Sequence, residues 1–320
     1  MHDGNARSPL APVFLAGPTA VGKSAAALAL AERLGGEIIS VDSMQVYCGL
    51  DLGTAKPTPA ERARVPHHLI DVVELSESFD AAKFLRLAEA AVKDIQSRGR
   101  VPIFCGGTGL YFKAWFDGLG AAPPADPRVR AELEATPLAD LLAELERRDP
   151  ATFARIDRQN PRRVIRALEV IRLTGQPFSA QRAAWPSTLD ARPSNCLIAF
   201  TREPADLRAR IDARVDAMFA AGLVEETRAL LPRGLADNPA ALQALGYRQV
   251  VEHLRGARGL GDTIALVKTK TWQFARRQRT WFRRQLAVEW VPLIPQSEPA
   301  AVARELADRI AARSPVAPLD

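Results

Sequence analysis

The chain has 320 residues, of which 47% are apolar and 25% charged. That composition excludes global disorder and leaves room for one large domain or two, with a core that needs no disulfide staples. No stretch offers the ~18 charge-free apolar residues that a membrane helix requires, so no membrane partner is expected. The apolar run from Leu10 to Ala16 passes straight into Gly17 and Pro18 with no signal-peptide pattern, and a cytoplasmic location is expected. Three cysteines (Cys48, Cys105, Cys196) and four histidines (His2, His67, His68, His253) lack the spacing of a disulfide framework or a zinc site. The net charge of +6 is localised: Lys268–Arg284 carries seven basic residues and no acid, while the rest of the chain is nearly balanced.

In chain order, Pro12–Ala16 reads as a strand, followed by a Gly-rich turn and an alanine-rich helix over Ser24–Leu34 that Gly35-Gly36 ends. Glu37–Val41 reads as a β-branched strand ending at Asp42. Tyr47–Pro66, with Gly49, Gly53, Pro57 and Pro59, reads as loop. Phe84, Leu87, Ala88, Ala91, Val92 and Ile95 recur at helical spacing and predict a helix over 80–98. Val101–Cys105 reads as a third strand, followed by Gly106-Gly107-Thr108. Strand–helix alternation of this kind predicts an α/β fold with a P-loop NTPase-like parallel sheet covered on both faces. The patterns after Ala121-Ala-Pro-Pro are helical up to about Arg192. Residues 121–192 are therefore expected to form an all-helical insertion domain in a core built from 1–120 and 193–320. Further strands are expected at Asn195–Thr201 and Val288–Leu293.

Gly17-Pro18-Thr19-Ala20-Val21-Gly22-Lys23-Ser24 matches G-x-x-x-x-G-K-[ST] between a strand and a helix. Such a loop turns backbone N–H groups and a helix N-terminus toward phosphate oxygens. Lys23 adds a point charge, and the Ser24 hydroxyl can hold Mg2+. The loop predicts a diphosphate or triphosphate site without naming a reaction. The strand ending at Cys105 lacks the terminal carboxylate common in phosphoryl-transfer enzymes. The strand ending at Asp42 has one, and ligands of open α/β sheets bind beyond the carboxyl ends of strands. Asp42, Thr108 and the loop are thus expected in one crevice, with Asp42 a metal ligand, a general base or a turn residue. The Lys268–Arg284 stripe, with Trp272, Phe274, Trp281 and Phe282 among its charges, fits a nucleic-acid backbone or a solvated helix with a core-facing aromatic edge.

The stretches GPTAVGKS (Gly17–Ser24), IISVDSMQVY (Ile38–Tyr47), LDLGTAKP (Leu50–Pro57), PHHLIDV (Pro66–Val72), FCGGTGLYFKA (Phe104–Ala114), DPRVR (Asp126–Arg130), NPRRVIRALEV (Asn160–Val170), ALGYRQV (Ala244–Val250) and ARRQRTWFR (Ala275–Arg283) together resemble the tRNA dimethylallyltransferase (IPP transferase) family. The resemblance implies transfer of a dimethylallyl group from dimethylallyl diphosphate to N6 of the adenosine 3′-adjacent to the anticodon (position 37), in tRNAs reading codons that begin with U. It implies that the loop Gly17–Ser24 holds a departing diphosphate, that Asp42 accepts the N6 proton, that Thr108 contacts the flipped adenosine, and that Arg214 serves the diphosphate. The bland alternative for Arg214 is a helix arginine paired with Asp212 or Asp216. Mg2+ is the implied cofactor, ATP binding is left open, and a monomer is implied.

A stacked anticodon-loop adenine must swing out to react, and protein contacts must recover that cost. The expected tRNA contacts are Asp42, Ser43, Met44, Gln45, Thr108, Arg130, Arg162, Arg163, Val164, Ile165, Arg166, Gly246, Tyr247, Arg248, Gln249, Arg276, Arg277 and Arg283, with Tyr247 stacking on a base and the basic stripe lying on phosphates of the anticodon stem. His67-His68 and Cys105 are expected to be structural. An adenine-nucleotide isopentenyltransferase, a P-loop small-molecule kinase and a non-catalytic RNA-binding protein are the rival readings.

Overall fold

The computed structural model of the protein describes residues 11–120, 122–181 and 197–313. The expected end of the insertion near Arg192, Asn195 and Cys196 lie outside these residues. In chain order the elements are β1 (Val13–Ala16), α1 (Lys23–Leu34), β2 (Gly36–Val41), α2 (Pro59–Arg64), β3 (His67–His68), α3 (Ala81–Ser97), β4 (Val101–Gly106) and α4 (Gly109–Asp117). There follow α5 (Pro127–Glu134), α6 (Leu138–Arg148), α7 (Pro150–Phe153), α8 (Pro161–Thr174) and α9 (Phe178–Gln181). The chain returns to the sheet with β5 (Leu197–Thr201), then α10 (Pro204–Ala220), α11 (Leu223–Leu230), α12 (Tyr247–Leu254), α13 (Leu260–Gln285), β6 (Glu289–Pro292) and α14 (Pro299–Arg313). Two compact units result: residues 11–116 with 197–313, and the described part of Asp117–Ser187.

The first unit is one parallel sheet in the order β3-β2-β4-β1-β5-β6. All four residues of β1 are buried, alternating between faces. Val13 and Leu15 pack with α1, α10 and α14 on one side; Phe14 and Ala16 pack with α3 and α4 on the other. This is why the central strands read as continuous apolar runs rather than alternating ones. The expected helix over 80–98 forms as α3, capped by the Asp80 side chain on the Lys83 N–H, with Phe84, Ala88, Ala91, Val92 and Ile95 buried.

Two elements depart from the sequence expectation. The 47–66 segment is not all loop, because Thr58 opens α2 with a reciprocal capping box to Glu61 and Pro59 sits in the first turn, where a missing N–H costs nothing. β3 is a two-residue strand too short to carry a pattern. A third apolar cluster joins Val46, Tyr47 and Leu50, just after β2, to Leu223, Leu230, Tyr247, Val250 and Val251.

The second unit is helical. Leu133, Leu141, Leu145, Val164, Ile165, Ala167, Leu168 and Ile171 form its core. Asn160 precedes α8, Pro161 opens it, and Gly175 closes it in the left-handed conformation.

Candidate active site

The phosphate loop leaves β1 and enters α1 through Gly22, whose φ of 108° suits only glycine without strain. Arg210 Nε donates to the Ala20 carbonyl at 3.0 Å, and Arg202 Nε to the Val21 carbonyl at 2.7 Å. A trans peptide points its N–H opposite to its C=O. Binding the Val21 carbonyl therefore aims the Gly22 N–H to the other side of that peptide. The two arginines hold the cradle from behind, and neither was expected as a site residue. Arg202 is itself held by Asp206 at 2.7 Å and by the Ile294 carbonyl at 2.9 Å. Not every N–H of the loop is open to a ligand. That of Thr19 donates to Gln278 Oε1 at 2.9 Å.

Asp42 follows β2 at the same end of the sheet. Its Oδ1 accepts from the N–H groups of Met44 at 2.8 Å and Gln45 at 3.3 Å, an Asx-type turn. Its Oδ2 takes no hydrogen bond from any described residue. One oxygen orients the carboxylate and the other remains available as an acceptor. Thr108, after β4, receives the Ser43 N–H on Oγ1 at 3.1 Å, so the β2 and β4 ends are tied together as expected. Close approach there is possible because a Cβ at Gly106 would lie 2.0 Å from the Val41 carbonyl oxygen.

Lys23 and Arg214 complete the cluster. Burial pushes the Lys23 ammonium below the usual lysine range, and the nearby Arg214 charge pushes the same way, opposed by Asp42. Arg214 on α10 is likewise lowered by burial and favoured by Asp42. The bland alternative for Arg214 fails: Asp212 is taken by Arg208 at 3.0 Å, and Asp216 by Lys268 at 2.7 Å. Arg214 forms no ion pair among the described residues. A half-buried guanidinium without an ion pair among the described residues, beside a phosphate loop, is suited to hold an anion. Among the described residues no three His, Cys, Asp or Glu gather around a metal position. Ser24, exposed in the first turn of α1, could offer its hydroxyl oxygen to one. Cys105 is buried and pushed up to about 11 by that burial, which agrees with an inert thiol. His67 bonds the Val65 carbonyl at 2.7 Å and His68 the buried Glu37 at 2.6 Å, both structural.

The expected RNA contacts divide. On α13, Arg276, Arg277, Arg283 and Arg284 are exposed and none is paired with a carboxylate among the described residues. Arg276, Arg277 and Arg284 line an open groove with Gln273, Thr280 and Trp281. The aromatics of this stretch are mostly committed: Phe282 is buried, and Trp281 occupies the space a Cβ on Gly109 would need. Phe274 is the exposed one, under Arg277 at 5.9 Å.

Tyr247 is a correction. It is fully buried, its hydroxyl donates to Glu226 at 2.5 Å and accepts the Gly53 N–H at 3.1 Å, so its ring is not offered to a base. Gly246 and Gln249 are buried beside it, with Gln249 Oε1 capping the Gly246 N–H at 3.0 Å; Arg248 alone of the four is exposed. Gln45 is also engaged internally, accepting from Ser40 and donating to the Thr54 and Ala55 carbonyls.

In the helical unit Val164 and Ile165 are core residues and not surface contacts, a second correction, whereas Arg162 and Arg163 are exposed. Arg130 and Arg166 both reach the fully buried Glu169, at 3.1 and 2.7 Å. Glu169 also accepts the Asp126 N–H at 3.1 Å, so one carboxylate fixes two arginines and the start of α5.

With this geometry in place, comparison with known proteins is specific. A sequence model of the family described as IPP transferase matches residues 45–285. The tRNA dimethylallyltransferase of Anaeromyxobacter dehalogenans is 48% identical over 301 residues, covering 93% of this chain and 99% of the relative. That of Halorhodospira halophila is 51% identical over 282 residues, covering 86% and 91%. The structure of a tRNA isopentenylpyrophosphate transferase from Bacillus halodurans superposes with a TM-score of 0.68 at 38% identity, over 96% of this chain and 98% of that one. A eukaryotic dimethylallyltransferase caught acting on tRNA gives a TM-score of 0.76 at 26% identity, over 97% and 81%. The phosphate loop, the carboxylate beyond β2 and near full-length likeness agree, and the chain belongs to the IPP transferase family.

Proposed function

We propose that this protein transfers a dimethylallyl group from dimethylallyl diphosphate to N6 of the adenosine 3′-adjacent to the anticodon, in tRNAs reading codons that begin with U. In the reaction the C–O bond between the allyl carbon and the diphosphate breaks, and the diphosphate leaves with the electron pair. A bond forms from N6 to that carbon, and N6 sheds a proton.

Three groups of this chain match those demands. The N–H groups of the loop's second half, Lys23 and Arg214 meet the charge that grows on the departing oxygen, where preorganised donors act most strongly. The free Oδ2 of Asp42 takes the N6 proton, while Oδ1 keeps its turn; general-base assistance of this kind is worth about 10²–10⁴-fold. Exposed, unpaired arginines on α13 meet the phosphates of the anticodon stem. Arg130, Arg162, Arg163 and Arg166 of the helical unit supply further cationic contacts to the stem-loop.

Mg2+ fits the donor set. A hard cation that keeps its waters and takes most of its oxygens from a diphosphate needs few protein ligands, and the Ser24 hydroxyl, next to Lys23 at the start of α1, would be one. When bound it would neutralise charge on the diphosphate.

The observation that carries the proposal is Arg214, without an ion pair among the described residues, close to Lys23 and Asp42 at the loop. The test is mass spectrometry of anticodon-loop fragments after incubation with tRNA, Mg2+ and dimethylallyl diphosphate. A five-carbon mass gain on the adenosine beside the anticodon is expected. Prenylation of free adenine nucleotides alone, or phosphorylation of a small acceptor by ATP, would replace the proposal with one of its rivals.

A further inference from the structure

We infer that Gln278 is a positioning residue that locks the phosphate loop in register with the acceptor side of the site. Gln278 lies on α13, in the middle of the basic stripe, yet it faces inward. Thr271, Ala275, Gln278 and Phe282 are the buried line of that helix, spaced by four, three and four residues. Its amide spans two backbones. Oε1 accepts the Thr19 N–H of the phosphate loop at 2.9 Å, and Nε2 donates to the Gly107 carbonyl at 2.9 Å.

The fit is close. A Cβ on Gly107 would lie 2.3 Å from Nε2, so only glycine admits the amide at that turn. Gly107 precedes Thr108, whose Oγ1 holds the Ser43 N–H next to Asp42. A continuous chain of contacts therefore runs from loop to base: Thr19, Gln278, Gly107, Thr108, Ser43, Asp42. Both ends of the amide are used, so its orientation is fixed, as a buried amide requires. The same helix carries Arg276 and Arg277 on its outer face.

Given the proposed allyl transfer, this amide sets the distance between the leaving group and the nucleophile, and a misplacement of about 1 Å there costs on the order of 10²-fold in rate. It does so through the backbones of Thr19 and Gly107.

Two variants test the assignment. Gln278→Met keeps the volume and loses both bonds. It should raise KM for dimethylallyl diphosphate and lower kcat, together by about 10- to 100-fold, with tRNA affinity as in the wild type. Gln278→Glu keeps the acceptor toward Thr19 but sets a carboxylate oxygen against the Gly107 carbonyl. Protonation restores a donor there, so the activity of this variant relative to wild type should recover as the pH falls toward the carboxyl range. Gln278→Met, which fills the same space without a charge, separates the lost hydrogen bonds from the cost of burying a carboxylate.

Calorimetric binding of inorganic diphosphate to the full chain separates this inference from the activity on which it rests. Weaker diphosphate binding by Gln278→Met supports it even if the wild type prenylates no tRNA. Wild-type diphosphate affinity and kinetics in Gln278→Met, or a Gln278→Glu profile parallel to wild type at every pH, would overturn it. Should the Met variant fail to fold, the Glu profile decides.

Discussion

Thr108 and Ser43 stand 65 residues apart in the chain, yet the Ser43 N–H lies 3.1 Å from Thr108 Oγ1. That bond joins the turn after β4 to the turn that carries Asp42, and it places a hydroxyl beside the proposed base. Thr108→Val removes the acceptor at nearly constant volume. Loss of this partly buried hydrogen bond costs about 0.5–1.5 kcal/mol, and single-turnover transfer should slow by about two- to tenfold. Thr108→Ser keeps the hydroxyl and should stay near wild type; a Ser variant as slow as Val would contradict the role.

Asp42→Asn separates turn from base. The Asn Oδ1 still accepts from Met44 and Gln45, but the side chain takes up no proton. Turnover should fall by about 10²–10⁴-fold, while tRNA affinity measured by filter binding stays the same. A large loss of affinity with normal turnover would move Asp42 from the chemistry to RNA recognition.

Lys23 predicts an alkaline limb. Its folded-state pKa is lowered by burial. The ammonium proposed to serve the diphosphate is therefore lost, as pH rises, below the ~10.4 of a free lysine. Because kcat/KM reports the free enzyme, kcat/KM for dimethylallyl diphosphate should fall on that limb. Lys23→Arg keeps its charge and should lack this limb, whatever its absolute rate. An unchanged limb in Lys23→Arg would assign it to another group.

The α13 arginines predict a salt dependence. Replacing Arg276, Arg277, Arg283 and Arg284 by Gln should reduce the slope of log K against log salt by about 0.7–0.9 for each phosphate contact removed. A slope equal to wild type would make this face a solvated surface only.

Glu37 marks the opposite end of the sheet. Burial alone would push its carboxyl up, but hydrogen bonds from Arg98 at 2.8 Å and His68 at 2.6 Å outweigh that and hold it below the usual range. Its contribution to stability is full above the unfolded value of ~4.3 and is lost as pH falls through the lower folded value. Glu37→Gln should cost about 1–3 kcal/mol at neutral pH and less in acid, read from thermal melts. An equal cost at both pH values would contradict the ion-pair account.

The central strands, α1, α3 and the phosphate loop were legible because each rests on a local signal: apolar runs, helical spacing, a glycine-framed turn. α2 was hidden by Pro57 and Pro59, although the Thr58–Glu61 pair was in view. Tyr247 looked like a stacking platform because its partners, Glu226 and Gly53, are distant in sequence. Arg214 could not be separated from a helix-surface arginine until Arg208 and Lys268 were seen to claim Asp212 and Asp216. Arg202 and Arg210, which grip the loop from behind, carry no motif. Gln278 had one: its place in the 271, 275, 278, 282 line puts it inside a helix whose charges draw the eye outward.

On the proposed mechanism the phosphate loop holds a group that departs intact. The direct test counts products: tRNA, Mg2+ and dimethylallyl diphosphate are incubated with the full chain, and diphosphate and modified adenosine are measured together. One intact diphosphate should be released for each adenosine that gains the five-carbon group. Orthophosphate formed from ATP, with every anticodon-loop adenosine unmodified, would contradict it.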